Sequence, residues 1–128
     1  MICLDAWAII AFLTDDHGAN EVADVIASGA GLMSWINLGE VAYVLTRRDG
    51  EQKAREAVGD LAASLRVESP QPDRVLTAAA IKASWPMSYA DAFAAATAIA
   101  HRAELLTADP EILAASSALG LRARPPAY

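Results

Sequence analysis

The chain begins with a short apolar run that ends on a carboxylate, and this run limits the folds open to it. Residues 1–4 are apolar, Asp5 follows, and apolar residues at helical spacing continue from Ala8 to Leu13. A run of this length, bounded by a charge, predicts a buried β-strand. An Asp at the carboxyl end of such a strand faces the crevice where open α/β sheets bind ligands. The alternative is that Asp5 only caps the next helix, because Asp is a favoured N-cap residue.

Length and composition indicate that residues 1–128 form one globular domain. Hydrophobic residues make up 55% of the 128 residues and charged residues 20%, which is enough apolar surface for a packed core and excludes a disordered chain. The formal net charge of −6 argues against a generic nucleic-acid coat protein. It leaves room for a cation-binding site, because a few clustered carboxylates would account for much of the excess.

The single cysteine, Cys3, lies within the predicted first strand. One cysteine excludes an intramolecular disulfide and a cysteine zinc cluster, and a buried, unreactive thiol is expected here. The sequence has no secretory signal pattern and no run of 18 or more apolar residues. We therefore expect a cytoplasmic protein without a membrane-spanning segment.

Short apolar strands alternate with helical patterns along the rest of the chain. Further strands are predicted at 32–36, 65–67, 104–107 and 120–123, with helices between them. Asn37 is predicted to end the second strand and to cap the next helix, with Glu40 three residues later. Strands that alternate with helices predict a parallel sheet covered on both faces. The expected fold is therefore α/β, a three-layer α/β/α sandwich with a parallel sheet.

Four acids are predicted at strand-to-helix junctions of this sheet. Asp5 ends the first strand, Asp109 follows the fourth strand, and two others, Glu40 and Asp91, lie in the first turns of helices. In a parallel sheet these junctions share one edge, so the four side chains should meet there. Each acid also fits a capping position of its helix, which is the structural alternative. Carboxylates brought together need a compensating cation, and oxygen ligands suit Mg²⁺ or Mn²⁺.

Four segments of the chain resemble the acidic motifs of PIN domains. They are Leu4-Asp5-Ala6, Ile36-Asn37-Leu38-Gly39-Glu40-Val41, Tyr89-Ala90-Asp91-Ala92-Phe93-Ala94-Ala95-Ala96 and Leu106-Thr107-Ala108-Asp109. The order of the motifs and the small size of the chain resemble most the VapC toxins of bacterial toxin–antitoxin pairs, and the resemblance covers essentially the whole chain. It implies a homodimeric, Mg²⁺- or Mn²⁺-dependent endoribonuclease that is inhibited by a cognate antitoxin. It also implies catalytic roles for Asp5, Glu40, Asp91 and Asp109, with Asp5, Asp91 and Asp109 as metal ligands.

One position departs from the pattern of the family. The family usually has Ser or Thr two residues after the first Asp, whereas this chain has Trp7. The hydroxyl that would help to order the metal or its water is therefore missing at that position. Ser88 and Thr107 are the candidates to supply one.

The chemistry implied by the resemblance needs a cation and a path for RNA. A bound divalent ion lowers the pKa of its water and so supplies hydroxide without a histidine base; His17 and His101 are expected at the surface, outside the site. The candidates for RNA contact are Arg47, Arg48, Lys53 and Arg55. Arg47 follows Glu40 by two helical turns, roughly 10 Å along the same face. A solvated helix end is the structural alternative for this basic cluster.

Two other classes of protein remain open. A receiver domain also gathers acids at a parallel sheet edge and binds Mg²⁺, but it needs a late lysine, and the last lysine here is Lys82. A non-catalytic PIN-like interaction module is the second class, and Trp7 favours it. In either PIN-like reading the high apolar content favours a symmetric dimer. An antitoxin segment with Arg or Lys would be drawn to the carboxylates.

Overall fold

The computed structural model describes all 128 residues and contains one parallel sheet. Its strands are Ile2–Leu4 (β1), Gly31–Ser34 (β2), Arg66–Glu68 (β3), Glu104–Leu106 (β4) and Ala123–Arg124 (β5). All neighbouring strands run parallel, and their order across the sheet is β3-β2-β1-β4-β5. The predicted α/β fold with a parallel sheet is confirmed.

Seven helices flank this sheet. They are Ala6–Leu13 (α1), Ala19–Ser28 (α2), Trp35–Asp49 (α3), Glu51–Ser64 (α4), Pro72–Ser84 (α5), Tyr89–His101 (α6) and Pro110–Leu119 (α7). None of them combines the length and the apolar character that crossing a membrane would require.

Successive side chains of the central strands point into two separate cores. The strand residues of one core pack against α5, α6 and α7, and those of the other core pack against α1 to α4. This alternation is the two-residue period of a β-strand. The strand residues of the first core are Cys3, Leu32 and Leu105, and those of the second are Leu4, Met33 and Leu106. All six are fully buried, so the sheet is covered on both faces.

The strand order reverses direction at β1. The chain moves outward from β1 to β2 and β3, and then returns to the other side of β1 with β4. The crevice at the carboxyl ends of β1 and β4 is therefore the topological switch point, where open α/β sheets bind their ligands.

The boundary between β2 and α3 differs from the prediction. Strand β2 ends at Ser34, whose Oγ accepts a hydrogen bond from the backbone N–H of Ile36 at 3.2 Å, so Ser34 and not Asn37 caps α3. Trp35 and Ile36 belong to the helix and are 40% and 39% exposed. The apolar run continues across the strand end into the first turn of the helix, so hydrophobicity alone did not mark the boundary.

The fifth strand also begins later than predicted. Gly120 follows the last residue of α7 with a φ of +67°, and its N–H donates hydrogen bonds to carbonyls of the last helical turn. Leu121 still donates to Ser116 of that helix at 2.9 Å. Gly120 and Leu121 therefore complete the helix cap, the carbonyl of Arg122 accepts the first hydrogen bond from β4, at 2.8 Å from the N–H of Leu105, and strand β5 starts at Ala123.

Candidate functional site

A cavity of about 590 Å³ opens at the switch point. Its lining comprises Asp5, Ala6, Trp7, Glu40, Asp91, Ala108, Asp109, Pro110 and Glu111. All four acids predicted from the strand-to-helix junctions lie in this one lining. The structure thus brings together side chains that are far apart in the sequence, and it adds a fifth carboxylate, Glu111.

Asp5 both caps α1 and lines the cavity. Its Oδ1 accepts a hydrogen bond from the N–H of Ala8 at 2.9 Å, and its Oδ2 accepts one from the hydroxyl of Thr107 at 2.6 Å. The residue is 3% exposed, and burial raises the pKa of its carboxyl to about 6, although both hydrogen bonds act in the opposite direction. The two interpretations of Asp5 made from the sequence are therefore compatible.

Thr107 connects two of the acids. Its Oγ1 donates to Asp5 and accepts a hydrogen bond from the N–H of Asp109 at 3.1 Å. Asp109 in turn caps α7, because its Oδ1 accepts from the N–H of Glu111 at 2.8 Å. The hydroxyl of Ser88, the other candidate, caps α6 by accepting from the N–H of Asp91 at 3.1 Å. Thr107 is the candidate hydroxyl that contacts a cavity carboxylate directly.

The pKa values of Asp91 and Glu40 are raised as well. Burial, the neighbouring carboxyl of Asp109 and the charge of Glu40 together raise the pKa of Asp91 to about 7, although a hydrogen bond with Ser88 acts in the opposite direction. Burial also raises the pKa of Glu40. The lining contains no Lys, Arg or His. Gathering carboxylates without a basic side chain therefore disfavours their charged forms.

The cavity fits a hard divalent cation by the chemistry of its donors. Every ionisable side chain in the lining is a carboxylate, and carboxylate oxygens are the ligands that Mg²⁺ and Mn²⁺ prefer. The raised pKa of Asp91 is what neighbouring carboxylates without a positive charge produce. As the side chains stand, however, no three potential ligands converge closely enough to hold a metal ion.

Asn37 is a residue of this region whose role the sequence did not reveal. It is fully buried in α3, three residues before Glu40, and its Nδ2 donates to the carbonyl of Ala90 at 2.9 Å. Ala90 directly precedes Asp91, so the amide ties the helix that carries one acid to the helix that carries another. Its Oδ1 is buried without a partner. The sequence shows Asn37 as a single amide between apolar residues, which could have indicated a buried polar contact. The sequence analysis interpreted it as a helix cap instead.

The four basic residues predicted to contact RNA do not line the cavity. They are Arg47, Arg48, Lys53 and Arg55. Arg47 donates to the hydroxyl of Tyr43 at 2.6 Å, Arg48 pairs with Asp49 at 2.9 Å, and Arg55 pairs with Glu51 at 3.0 Å. They form an exposed basic surface at the end of α3 and the start of α4, and their contact with RNA stays a prediction.

The histidines lie outside the cavity lining, as expected. His17 is exposed. His101 differs from the surface position expected for it, because its side chain is 20% exposed and its Nε2 lies 3.0 Å from the Oε1 of Glu68. The same Glu68 oxygen accepts from Arg74 at 3.0 Å. This half-buried polar cluster joins β3 to α5 and α6.

Known proteins share this fold. The family model described as PIN domain matches residues 2–117. VapC20 of Mycobacterium tuberculosis, described as a sarcin-ricin loop cleaving toxin, is 24% identical over 90% of this chain and 95% of its own, with a TM-score of 0.71. DNA-bound VapBC of Salmonella typhimurium gives 18% identity, coverage of 97% and 96%, and a TM-score of 0.73. A toxin–antitoxin complex from Klebsiella pneumoniae gives 21% identity, coverage of 88% and 90%, and a TM-score of 0.67. No curated protein sequence matches the chain.

Proposed function

The chain belongs to the PIN-domain family, and on this premise we propose that it is a Mg²⁺- or Mn²⁺-dependent endoribonuclease, the toxin of a toxin–antitoxin pair. One observation carries the proposal: acids from four separate junctions line a single cavity at the switch point of the sheet. The choice of RNA as substrate rests on the resemblance of the acidic motifs to VapC toxins. The description of VapC20 as a toxin that cleaves the sarcin-ricin loop supports the same class of substrate.

The residues of the chain take distinct parts in this reaction. Asp5, Asp91 and Asp109 would hold the divalent ion, which when bound supplies hydroxide near neutral pH and offsets charge on the phosphate. Thr107 holds the Asp5 carboxylate in one orientation through its 2.6 Å hydrogen bond. Glu40 lines the same cavity with a pKa raised by burial. Its carboxylate can therefore accept a proton from the attacking water and return it to the leaving 3′ oxygen.

The charge of the cavity makes the reaction conditional on metal. Five carboxylates and no basic side chain line the cavity, so a phosphodiester approaching the metal-free protein is repelled. A divalent cation bound among the carboxylates offsets part of this negative charge and presents a positive centre to a phosphate oxygen. We therefore expect the metal-free protein neither to hold RNA at the cavity nor to cleave it.

The negative charge of the cavity also indicates what kind of protein partner would bind there. We expect a cognate antitoxin that places an Arg or Lys among the carboxylates and so takes the place of the metal or blocks RNA. The Klebsiella structure is a toxin–antitoxin complex, which supports such a partner. A homodimer that brings two such cavities toward one face completes the proposed assembly.

A second candidate function is a non-catalytic PIN-like interaction module. It is favoured by Trp7, which lines the cavity where the family usually has a hydroxyl, and by ligands that do not converge as they stand. In this case the cavity would bind a basic partner without performing chemistry.

Cleavage of RNA by matched variants distinguishes the two functions. Wild type, Asp91→Asn and the control Asp60→Asn, which changes an exposed acid on α4, are incubated with single-stranded RNA in Mg²⁺, in Mn²⁺ and in excess chelator. A nuclease should lose at least about 100-fold in rate with Asp91→Asn and should lose all cleavage in chelator, whereas Asp60→Asn should cleave as wild type does. Equal cleavage by wild type and Asp91→Asn would contradict the proposed function.

A further inference from the structure

Trp7 is the one aromatic residue in the lining of the acidic cavity. It lies two residues after Asp5, so their Cα atoms are at most roughly 7 Å apart. The residue is half-buried, which means that part of it is packed and part is open to solvent. The reaction described above makes no use of this side chain.

The packed part of the indole lies against a glycine. Gly18 has a φ of +90°, and a β-carbon at this position would be 3.3 Å from Cη2 of Trp7 and 2.9 Å from Cγ of Pro126. The six-membered ring of Trp7 therefore lies close to the Gly18 backbone, which Pro126, a buried residue, also approaches. This close packing limits rotation of the indole.

The segment that carries Pro126 is itself fixed to α2. Arg124 donates to Oε2 of Glu21 at 2.7 Å, and the N–H of Ala127 donates to Oε1 of the same residue at 2.6 Å. Glu21 is 6% exposed, and its hydrogen bond with Arg124 lowers its pKa, so it stays ionised near neutral pH. These contacts hold Pro126 near Gly18, the residue on which the indole packs.

We propose that Trp7 is a stacking surface for an unpaired nucleobase next to the bond that is cut. The proposal rests on the proposed nuclease function. The lining offers no basic side chain, so within the cavity the indole of Trp7 is the side chain suited to hold a base. A held aromatic ring can stack on any base. A base inside a duplex is already stacked and is not available to it.

Binding is measured separately from cleavage. The background is Glu40→Gln, which removes the proposed proton acceptor and keeps the three proposed metal ligands. Its affinity in Mg²⁺ is measured by fluorescence anisotropy for a labelled, unstructured RNA of about 12 nucleotides and for the same RNA annealed to its complement. Into this background are placed Trp7→Leu, Trp7→Phe and the control Trp35→Leu, which changes an exposed tryptophan outside the cavity.

The expected pattern is specific to stacking. Trp7→Leu should weaken binding of the single strand by about 10- to 100-fold and remove the preference for single strand over duplex, whereas Trp7→Phe, which keeps an aromatic face, should stay within about threefold. Trp35→Leu should bind as the background does. A merely structural role of Trp7 would lower the melting temperature without changing the preference for single strand over duplex.

The outcomes separate this proposal from the nuclease assignment. Unchanged binding by Trp7→Leu, or equal affinity of the background for duplex and single strand, overturns stacking and leaves the nuclease function standing. Binding through Trp7 by a protein whose wild type cleaves no RNA overturns the nuclease function and leaves stacking standing. A background that binds no RNA overturns both.

Discussion

Thr107 and Asp5 lie 102 residues apart in the sequence, and their side chains meet in a hydrogen bond of 2.6 Å. The same Thr107 hydroxyl accepts from the N–H of Asp109 at 3.1 Å, so one oxygen positions two carboxylates of the cavity. We propose that this hydroxyl acts in place of the one that Trp7 lacks. The relationship makes Thr107 a positioning residue with consequences for stability and for pH.

Thr107→Val should lower the free energy of unfolding by about 1–3 kcal/mol, because it leaves the buried Asp5 carboxylate without this donor. The hydrogen bond from Thr107 lowers the pKa of Asp5, so its loss should also move metal binding to higher pH. Thr107→Ser keeps the hydroxyl and should resemble wild type. Urea denaturation and metal titrations from about pH 5 to pH 8 measure both effects. Equal behaviour of the Val and Ser variants would exclude the positioning role.

The metal-free protein should lose stability as the pH rises toward neutrality. In the folded protein the pKa of Asp5 is about 6 and that of Asp91 about 7, both above the ordinary 3.8. The folded chain therefore binds more protons than the unfolded chain between about pH 4 and pH 7, and the free energy of unfolding falls across that window. Because Asp91 is half-buried and screened by solvent, we expect a total loss of about 1–3 kcal/mol.

Denaturation of the chelated protein at several pH values checks this slope. Asp5→Asn and Asp91→Asn should each flatten it and should be more stable than wild type above neutral pH, because each removes a charge from the cavity. Asp60→Asn, at an exposed position on α4, is the control and should keep the wild-type slope. A free energy of unfolding that rises between about pH 4 and pH 7 would contradict the prediction.

Divalent metal should stabilise the folded protein. If the ion binds only the folded cavity, a concentration 100 times the dissociation constant adds about 2.7 kcal/mol to the free energy of unfolding. The gain should be larger above pH 7 than near pH 5, since the ligands must lose their protons. Melting curves in Mg²⁺ and Mn²⁺ measure it, with Asp5→Asn as the variant that should not respond. A melting temperature that millimolar concentrations of both ions leave unchanged would speak against a metal site.

Asn37→Leu should reduce both stability and cleavage. The change leaves the carbonyl of Ala90 without its buried donor, which we expect to cost about 1–3 kcal/mol. It also frees the backbone before Asp91 from α3, so the rate of cleavage should fall more than the melting temperature alone explains. Single-turnover cleavage well below the melting temperature measures this, with Asn20→Leu at an exposed position of α2 as the control. Wild-type cleavage by folded Asn37→Leu would show that the amide does not position the site.

The proposed partners are tested on the isolated protein and on its complex. Light scattering at tens of micromolar should give the mass of a dimer, and a monomer would count against the assembly. Adding the antitoxin should suppress cleavage, and reversing the charge of its basic residue should weaken this suppression. Suppression that does not depend on that charge would mean that apolar surface, and not the carboxylates, carries the inhibition.

The parts of the structure that depend on local patterns were predictable. Strands β1 and β4 are short apolar runs followed by Asp5 and by Thr107, and their order along the chain is sufficient to predict a parallel sheet with both junctions at one edge. The pair Asp109-Pro110 likewise predicted a helix start, and in the structure Asp109 is the N-cap of α7. These features depend on a few neighbouring residues, which is the range over which hydrophobic pattern and capping chemistry act.

The parts that depend on distant contacts were not predictable. Asn37 was interpreted as a cap because its partner, Ala90, is 53 residues away. Nothing in the sequence near Trp7 indicates that its ring packs against Gly18, which Pro126 also approaches. The basic residues near Arg47 were assigned to RNA by helical spacing, but helical spacing gives a direction along α3 and does not tell whether the side chain turns toward the cavity.

The pairing of β1 with β4 also determines at what stage of protein synthesis the cavity can form. Ile2 pairs with Glu104 and Leu4 with Leu106. The first strand can therefore pair with β4 only after about a hundred further residues have been synthesised. Asp5 receives its donor only when Thr107 has emerged, and Asp109 comes two residues after that. A nascent chain therefore carries no assembled carboxylate site until Asp109 has emerged, and the proposed active centre is complete only from that point of synthesis onward.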